Sequence, residues 1–183
     1  MKKLFIVLVV CSFLDCSREK PTSIRVSSGP SFTFAGSGEL AQFTIYAPAR
    51  GQHVAFPHPD VSSIAWQIKS SAGYFQGAGV EELRLRYGIV PSGYTQTIPV
   101  HPGVTVPLTA GVVYSFFAET ANAPAADGFF YLSPTAGPIQ MTIPDLCLQL
   151  QNGHQVRVKC RSGEPYQEPT DLEAMVRSNR VLK

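Results

Sequence analysis

Residues 108–120 (LTAGVVYSFFAET) constrain the fold of this chain more than any other stretch. Val112, Val113, Tyr114, Phe116 and Phe117 are β-branched or aromatic, the side chains that suit a pleated, half-buried surface. Only Ser115 interrupts the apolar run, so periodicity alone does not separate a strand from a buried helix segment. Length does. Gly111 precedes the run and NAPAADG (residues 122–128) follows it, which bounds it at strand size. A strand this apolar needs others beside it, and the rest of the chain supplies them.

The spacing Leu108-x-x-Gly111-x-x-Tyr114-x-Phe116-x-Ala118 resembles the tyrosine-corner strand of fibronectin type III and related immunoglobulin-like sandwiches. In those folds a tyrosine near the start of the strand bonds its hydroxyl back to nearby backbone. Forty-eight positions upstream of Tyr114 lies the only tryptophan, Trp66, in VSSIAWQIKS, which looks like the strand that carries the core tryptophan. LRLRYG (residues 83–88) resembles the strand that follows it. The resemblance covers roughly residues 56–143 and implies an all-β, antiparallel sandwich with Trp66 and Tyr114 in its core. A second likeness is the series W-x-I, then Y-G-x-V-P-x-G-Y-x-Q and a proline, then the aromatic strand. It is similar to small uncharacterised bacterial lipoproteins; it implies a location and a fold, and no activity.

The N-terminus bears on that location. Lys2 and Lys3 precede LFIVLVV, and the apolar region runs to Leu14. A basic start before a short apolar region is the pattern of a secretory signal peptide, too short to cross a bilayer. Residues 1–15 are therefore set apart from the fold. Cys16, followed by Ser17, resembles the lipidated cysteine of bacterial lipoproteins, although Leu14 and Asp15 stand where that family favours small residues. The resemblance implies a membrane anchor through an N-terminal lipid and delivery to the outer membrane or cell surface. Ordinary cleavage would leave a periplasmic or secreted form.

Removing residues 1–15 deletes Lys2, Lys3 and Asp15 and leaves 13 basic and 12 acidic residues. So even a balance argues against nucleic acid, which needs clustered Lys and Arg. Charged residues make up 15% of the chain, and Gly and Pro number 15 each, the composition of an all-β extracytoplasmic domain. One domain is expected, residues 24–160, after a tether over residues 16–23 and before a polar tail over residues 161–183.

Within the domain, residues 24–26, 31–35 and 40–46 read as strands separated by Gly-rich turns. In the third, Ala41, Phe43 and Ile45 alternate with Gln42, Thr44 and Tyr46, which predicts one buried face. Residues 47–60 hold three prolines and read as a loop. Ile64, Trp66 and Ile68 share a face, as do Leu83, Leu85 and Tyr87, with Arg84 and Arg86 opposite. Pro91-Ser92-Gly93 is a turn signal. Residues 129–132 and 139–143 read as two further strands.

The candidate contact residues are Tyr74 and Phe75, in the Gly-rich loop SSAGYFQGAG (residues 70–79), and Tyr94. Such aromatics can meet an envelope protein or a polysaccharide. A ligand-stacking role for Trp66 is the sharper alternative to a core anchor.

Cys147 and Cys160 are the cysteines left after cleavage before Cys16 and its lipidation, and an even pair in an exported chain implies a disulfide. They bracket LQLQNGHQVRVK, a hairpin with Asn152-Gly153 as its turn signal. A two-residue turn sets Cys147 opposite Val158 but leaves Leu146, Leu148 and Leu150 on the face away from Val156 and Val158. The conflict predicts an irregular or bulged hairpin. Thr170-x-x-Glu173 reads as a capping box before a short helix ending near Arg180.

His53 and His58, with Asp60 nearby, are the closest histidine pair, but no third His or Cys completes a metal set. No nucleophile elbow, HExxH, phosphate loop or dinucleotide fingerprint occurs. Glu81 and Glu82 would point to opposite faces of a strand, and His101 and His154 sit beside turns without an evident acid. The expectation is a non-catalytic binding or structural module with no cofactor and no metal. A small-ligand or metal-handling envelope protein is the alternative, and a hydrolase a more distant one.

Overall fold

A computed structural model of the chain describes residues 20–48, 52, 54–55, 63–101, 103–141, 147–151, 154–159, 162–165, 167 and 170–181. The strands are β1 (Ser23–Ser27), β2 (Ser31–Ala35), β3 (Glu39–Tyr46), β4 (Ile64–Ser70), β5 (Arg84–Arg86), β6 (Tyr94–Ile98), β7 (Val112–Ala121), β8 (Ala126–Ser133), β9 (Gly137–Met141), β10 (Cys147–Gln151) and β11 (His154–Val158). One helix, α1, spans Thr170–Val181. A three-stranded sheet, β1-β2-β5, packs on a six-stranded sheet, β6-β4-β3-β7-β8-β9, and β10 and β11 form a separate hairpin. Every pairing between these strands is antiparallel. The predicted antiparallel β-sandwich is the architecture.

Period-two alternation builds the core. Ile24, Val26, Phe32, Phe34 and Leu85 point inward from the smaller sheet, and Phe43, Ile45, Trp66, Ile68, Tyr114, Phe116 and Phe130 from the larger one. Phe32 bridges the layers. Its ring centroid lies 4.8 Å from Phe43, 5.6 Å from Phe116 and 5.8 Å from Phe130. Edge-to-face pairs of this kind add about 0.5–1.5 kcal/mol each to the burial itself.

The central strand is β7, flanked by β3 and β8. The hydroxyl-to-backbone bond that the resemblance implied for Tyr114 is present: its Oη accepts from Thr109 N at 2.7 Å and donates to Thr109 O at 3.3 Å. Gly111, at φ 81°, makes the sharp entry that a side chain would strain, and its N–H bonds Leu132 O at 2.8 Å. Trp66, on β4, falls in the large sheet, whereas the LRLRY strand, β5, joins β2 in the small one.

β3 buries both faces, since Thr44 and Tyr46 are as enclosed as Phe43 and Ile45. The single-faced expectation fails because the outer side of the large sheet is also covered. Val54, Val113, Phe129 and Met141 form a second apolar cluster there, against which Tyr131 and Val176 of α1 pack. The predicted C-terminal helix thus docks on the sandwich. Lys159 Nζ, after β11, reaches Asp171 Oδ1 at 3.2 Å, so the hairpin and the start of α1 are joined.

Two expectations are corrected. The hairpin pairs regularly, with Cys147 opposite Val158 and Gln151 opposite His154, and no bulge arises among its paired residues. Residues 80–82 form a 3-10 turn rather than a strand, which leaves Glu81 and Glu82 both exposed. The signal segment, Cys16 and Cys160, and with Cys160 the disulfide, lie outside the described residues.

Candidate functional site

The sandwich has two ends. At one lie the start of β3 and the ends of β4 and β7; at the other, the end of β3 and the starts of β4 and β7. Each end presents apolar side chains on a tied loop.

At the first end the loop over residues 71–79 is sewn to β3. Leu40 N donates to Ala78 O at 3.0 Å. Gly77 is required there, because a Cβ would stand 2.1 Å from Leu40 O. Ser70 Oγ donates to Gln76 O at 3.4 Å, and Gln76 N to Gly73 O at 3.4 Å, which closes the loop tip. The tip carries Tyr74 and Phe75, 46% and 68% exposed, with ring centroids 4.9 Å apart at 76°. Partial burial raises the Tyr74 phenol above its ordinary range, and the nearby Glu119 carboxylate raises it further. The two sequence-predicted contact residues are therefore together at the surface.

Tyr94 is not with them. It opens β6 rather than a loop and is 8% exposed. Its Oη donates to Leu40 O at 2.8 Å and accepts from Ala78 N at 3.1 Å. Both its capacities are consumed in holding the loop, so Tyr94 positions Tyr74 and Phe75 instead of joining them. Burial raises its phenol, more than the Ala78 bond lowers it.

Trp66 is fully buried, edge-on to Phe43 at 6.3 Å and to Tyr87 at 5.7 Å. A ligand cannot stack on it, and the core reading stands. Its Nε1 donates to Gln96 Oε1 at 3.3 Å.

The second surface escaped sequence reasoning. Beyond β6 the chain forms a loop in which Val100 is 80% exposed and Val104 and Val106 are also exposed, with Ile89 exposed nearby. Three carbonyls of this loop, Pro99, His101 and Val104, converge on Gln96 Nε2 at 2.9, 3.1 and 3.0 Å. Tyr87 Oη donates to Val106 O. A Cβ at Gly88 would stand 2.5 Å from Thr105 Cγ2, so the segments around residues 88 and 105 abut. The signal was available: valines between Pro99, Pro102 and Pro107 cannot enter a ladder, so their side chains have no sheet to bury them.

A cavity of about 490 Å³ beside β1 and β2 is lined by Arg25 as its one charged group. Gln140 of β9 closes its edge, accepting from Val26 N at 2.9 Å and donating to Ile24 O at 2.8 Å. One side-chain amide thus pairs with the free edge of β1 as a neighbouring strand would. Among the described residues no group of three or more His, Cys, Asp or Glu comes together. His53 and His58 lie outside the described residues. His101 is exposed and contributes its carbonyl to the Gln96 cluster. Glu39 Oε2 and Ser115 Oγ are buried without a hydrogen-bond partner among the described residues, and they lie on different strands.

No family model, no curated protein and no solved structure matches this chain.

Proposed function

We propose that this chain is an exported, lipid-anchored, non-catalytic binding module of the cell envelope, which meets a protein partner through the valine-bearing end of the sandwich. The observation that carries the reading is the loop over residues 99–106. Its Val100, Val104 and Val106 side chains are exposed while its backbone is held by Gln96 and by Tyr87. Exposed β-branched side chains on a fixed backbone lose little entropy on binding and bury apolar surface when a partner covers them. Aliphatic groups without donors or acceptors suit a protein surface better than a sugar. The export signal and Cys16 supply the location, with a tether too short to let the domain wander far from its membrane.

The test is a photo-crosslinking side chain placed at Val100 in intact host cells, with Arg25 on β1 as the control position. One discrete protein adduct at Val100, absent at Arg25 and lost when Val104 is changed to Asp, supports the reading. Equal adducts at both positions, or none, defeat it.

A further inference from the structure

We infer that Tyr74 and Phe75 are a membrane-interface contact, which seats the protein end-on upon the lipid surface that holds its anchor. The inference rests on the reading of Cys16 as an acylated residue and adds a second lipid contact, made by the folded domain.

The end of the molecule that carries the two aromatics is also the end from which the tether leaves. Lys20 O accepts from Ser37 N at 3.1 Å and from Ser37 Oγ at 3.0 Å. Gly38 O, next in the chain, accepts from Val80 N at 3.1 Å, while Leu40 N donates to Ala78 O and Leu40 O accepts from Tyr94 Oη, the bonds that hold the aromatic loop. The valine surface is at the far end. From Cys16 to Lys20 the chain spans at most about 14 Å, at roughly 3.5 Å per residue. With acyl chains on Cys16 buried in the bilayer, the first described residue lies close to the headgroups, and the 71–79 loop lies beside it.

The chemistry suits that place. Tyrosine has an apolar body and a polar tip, the combination that concentrates at headgroup depth, and phenylalanine adds a wholly apolar ring. Gly73, at φ 113°, has open space where a Cβ would stand, and Phe75 two residues on is the more exposed of the two rings. The charges of this end lean acidic: Lys20 and Lys69 are exposed against Glu81, Glu82 and Asp127, with Glu39 and Glu119 half-buried. The contact is therefore apolar in origin and owes nothing to attraction by anionic lipid. Acyl chains supply the affinity. The aromatic pair, confined near the bilayer at high effective concentration, supplies the orientation and points the valines outward.

The test uses the acylated mature chain in phosphatidylethanolamine–phosphatidylglycerol vesicles whose acyl chains are brominated. Phe75→Trp and Val100→Trp each place one reporter at an exposed site, and buried Trp66 is a common background. The expected result is loss of most position-75 emission with position 100 unchanged, at a salt concentration that screens the acidic groups of this end from the anionic lipid. No quenching at position 75, or equal quenching at both positions, overturns the inference. So does an emission shift at position 75 with soluble peptidoglycan fragments and none with vesicles, which would make the loop a polysaccharide site. Intact mass separates the two levels: an unacylated chain defeats the anchor and the inference together. An acylated chain without quenching at position 75 defeats the inference alone.

Discussion

Trp66 and Gln96 are joined through the indole nitrogen at 3.3 Å, and the same amide turns its other end to the carbonyls of Pro99, His101 and Val104. The buried tryptophan and the exposed valine loop are therefore fixed to one side chain. The bonding also fixes the amide's orientation, because its oxygen must face the indole donor and its two N–H groups must serve three acceptors.

Gln96→Glu keeps the shape and removes the donors. A carboxylate oxygen would face three carbonyls, and burial would force it to protonate at a cost. Stability should fall by about 2 kcal/mol or more, measured by denaturant unfolding, and the loop's amide protons should exchange faster. Unchanged stability would mean that the carbonyls are not held by this amide.

Tyr94→Phe removes a donor to Leu40 O and an acceptor of Ala78 N, both near the aromatic loop. A loss of about 1–2 kcal/mol is expected, with faster proteolysis confined to residues 71–79. Gly77→Ala should cost more, since its Cβ meets β3 backbone that has no slack. Limited digestion followed by mass spectrometry reads both.

Loss of the Gln140 amide leaves Val26 N and Ile24 O unpaired on the edge of β1. Water can satisfy them, so Gln140→Ala should cost only about 1 kcal/mol. The larger effect is on association: an open edge strand recruits other chains, and light scattering on concentrated protein should rise.

Burial, with a smaller contribution from Tyr114, pushes the Tyr87 phenol up to about 12 from an ordinary 10.0. The protonated form is the one favoured in the folded state, so its contribution is complete below pH 10 and is lost as pH rises toward 12. Phenolate absorbance should show at least one tyrosine titrating together with unfolding in that window, and Tyr87→Phe should remove that component. Titration of Tyr87 in the ordinary range would contradict its burial.

Most of the architecture was legible because alternation reports burial directly. Trp66 and Ile68 on β4, and Leu85 on β5 with Leu83 before it and Tyr87 after it, face the core as alternation predicts, and the hydroxyl-to-backbone bond that the resemblance implied for Tyr114 forms. The pattern misled where a strand is covered twice. Thr44 and Gln67 look solvent-facing in sequence, yet they bond each other at 3.1 Å beneath the outer layer, and only tertiary packing reveals that layer. The candidate site divides the same way. Tyr74 and Phe75 stood out as aromatics among glycines, but Tyr94 carries the same composition signal with its hydroxyl turned inward. Bonds fifty-four residues apart, such as Tyr94 to Leu40, leave no local trace. The hairpin register is the converse case. The conflict between a disulfide and matched apolar faces argued for a bulge, and the strands instead pair without one, in the register of a two-residue connection.

The path from Lys20 into β1 has a mechanical meaning. Ser23–Ser27 runs away from the tethered end, with all five of its residues paired to β2 and its outer edge held by Gln140. Tension on the N-terminus, resisted at the valine end, would pull along the strand axis. The ladder bonds would then bear the force side by side instead of opening one after another like a zipper. Shear of this kind is the stiff direction of a β-ladder, so the domain is built to withstand traction between the two ends it presents.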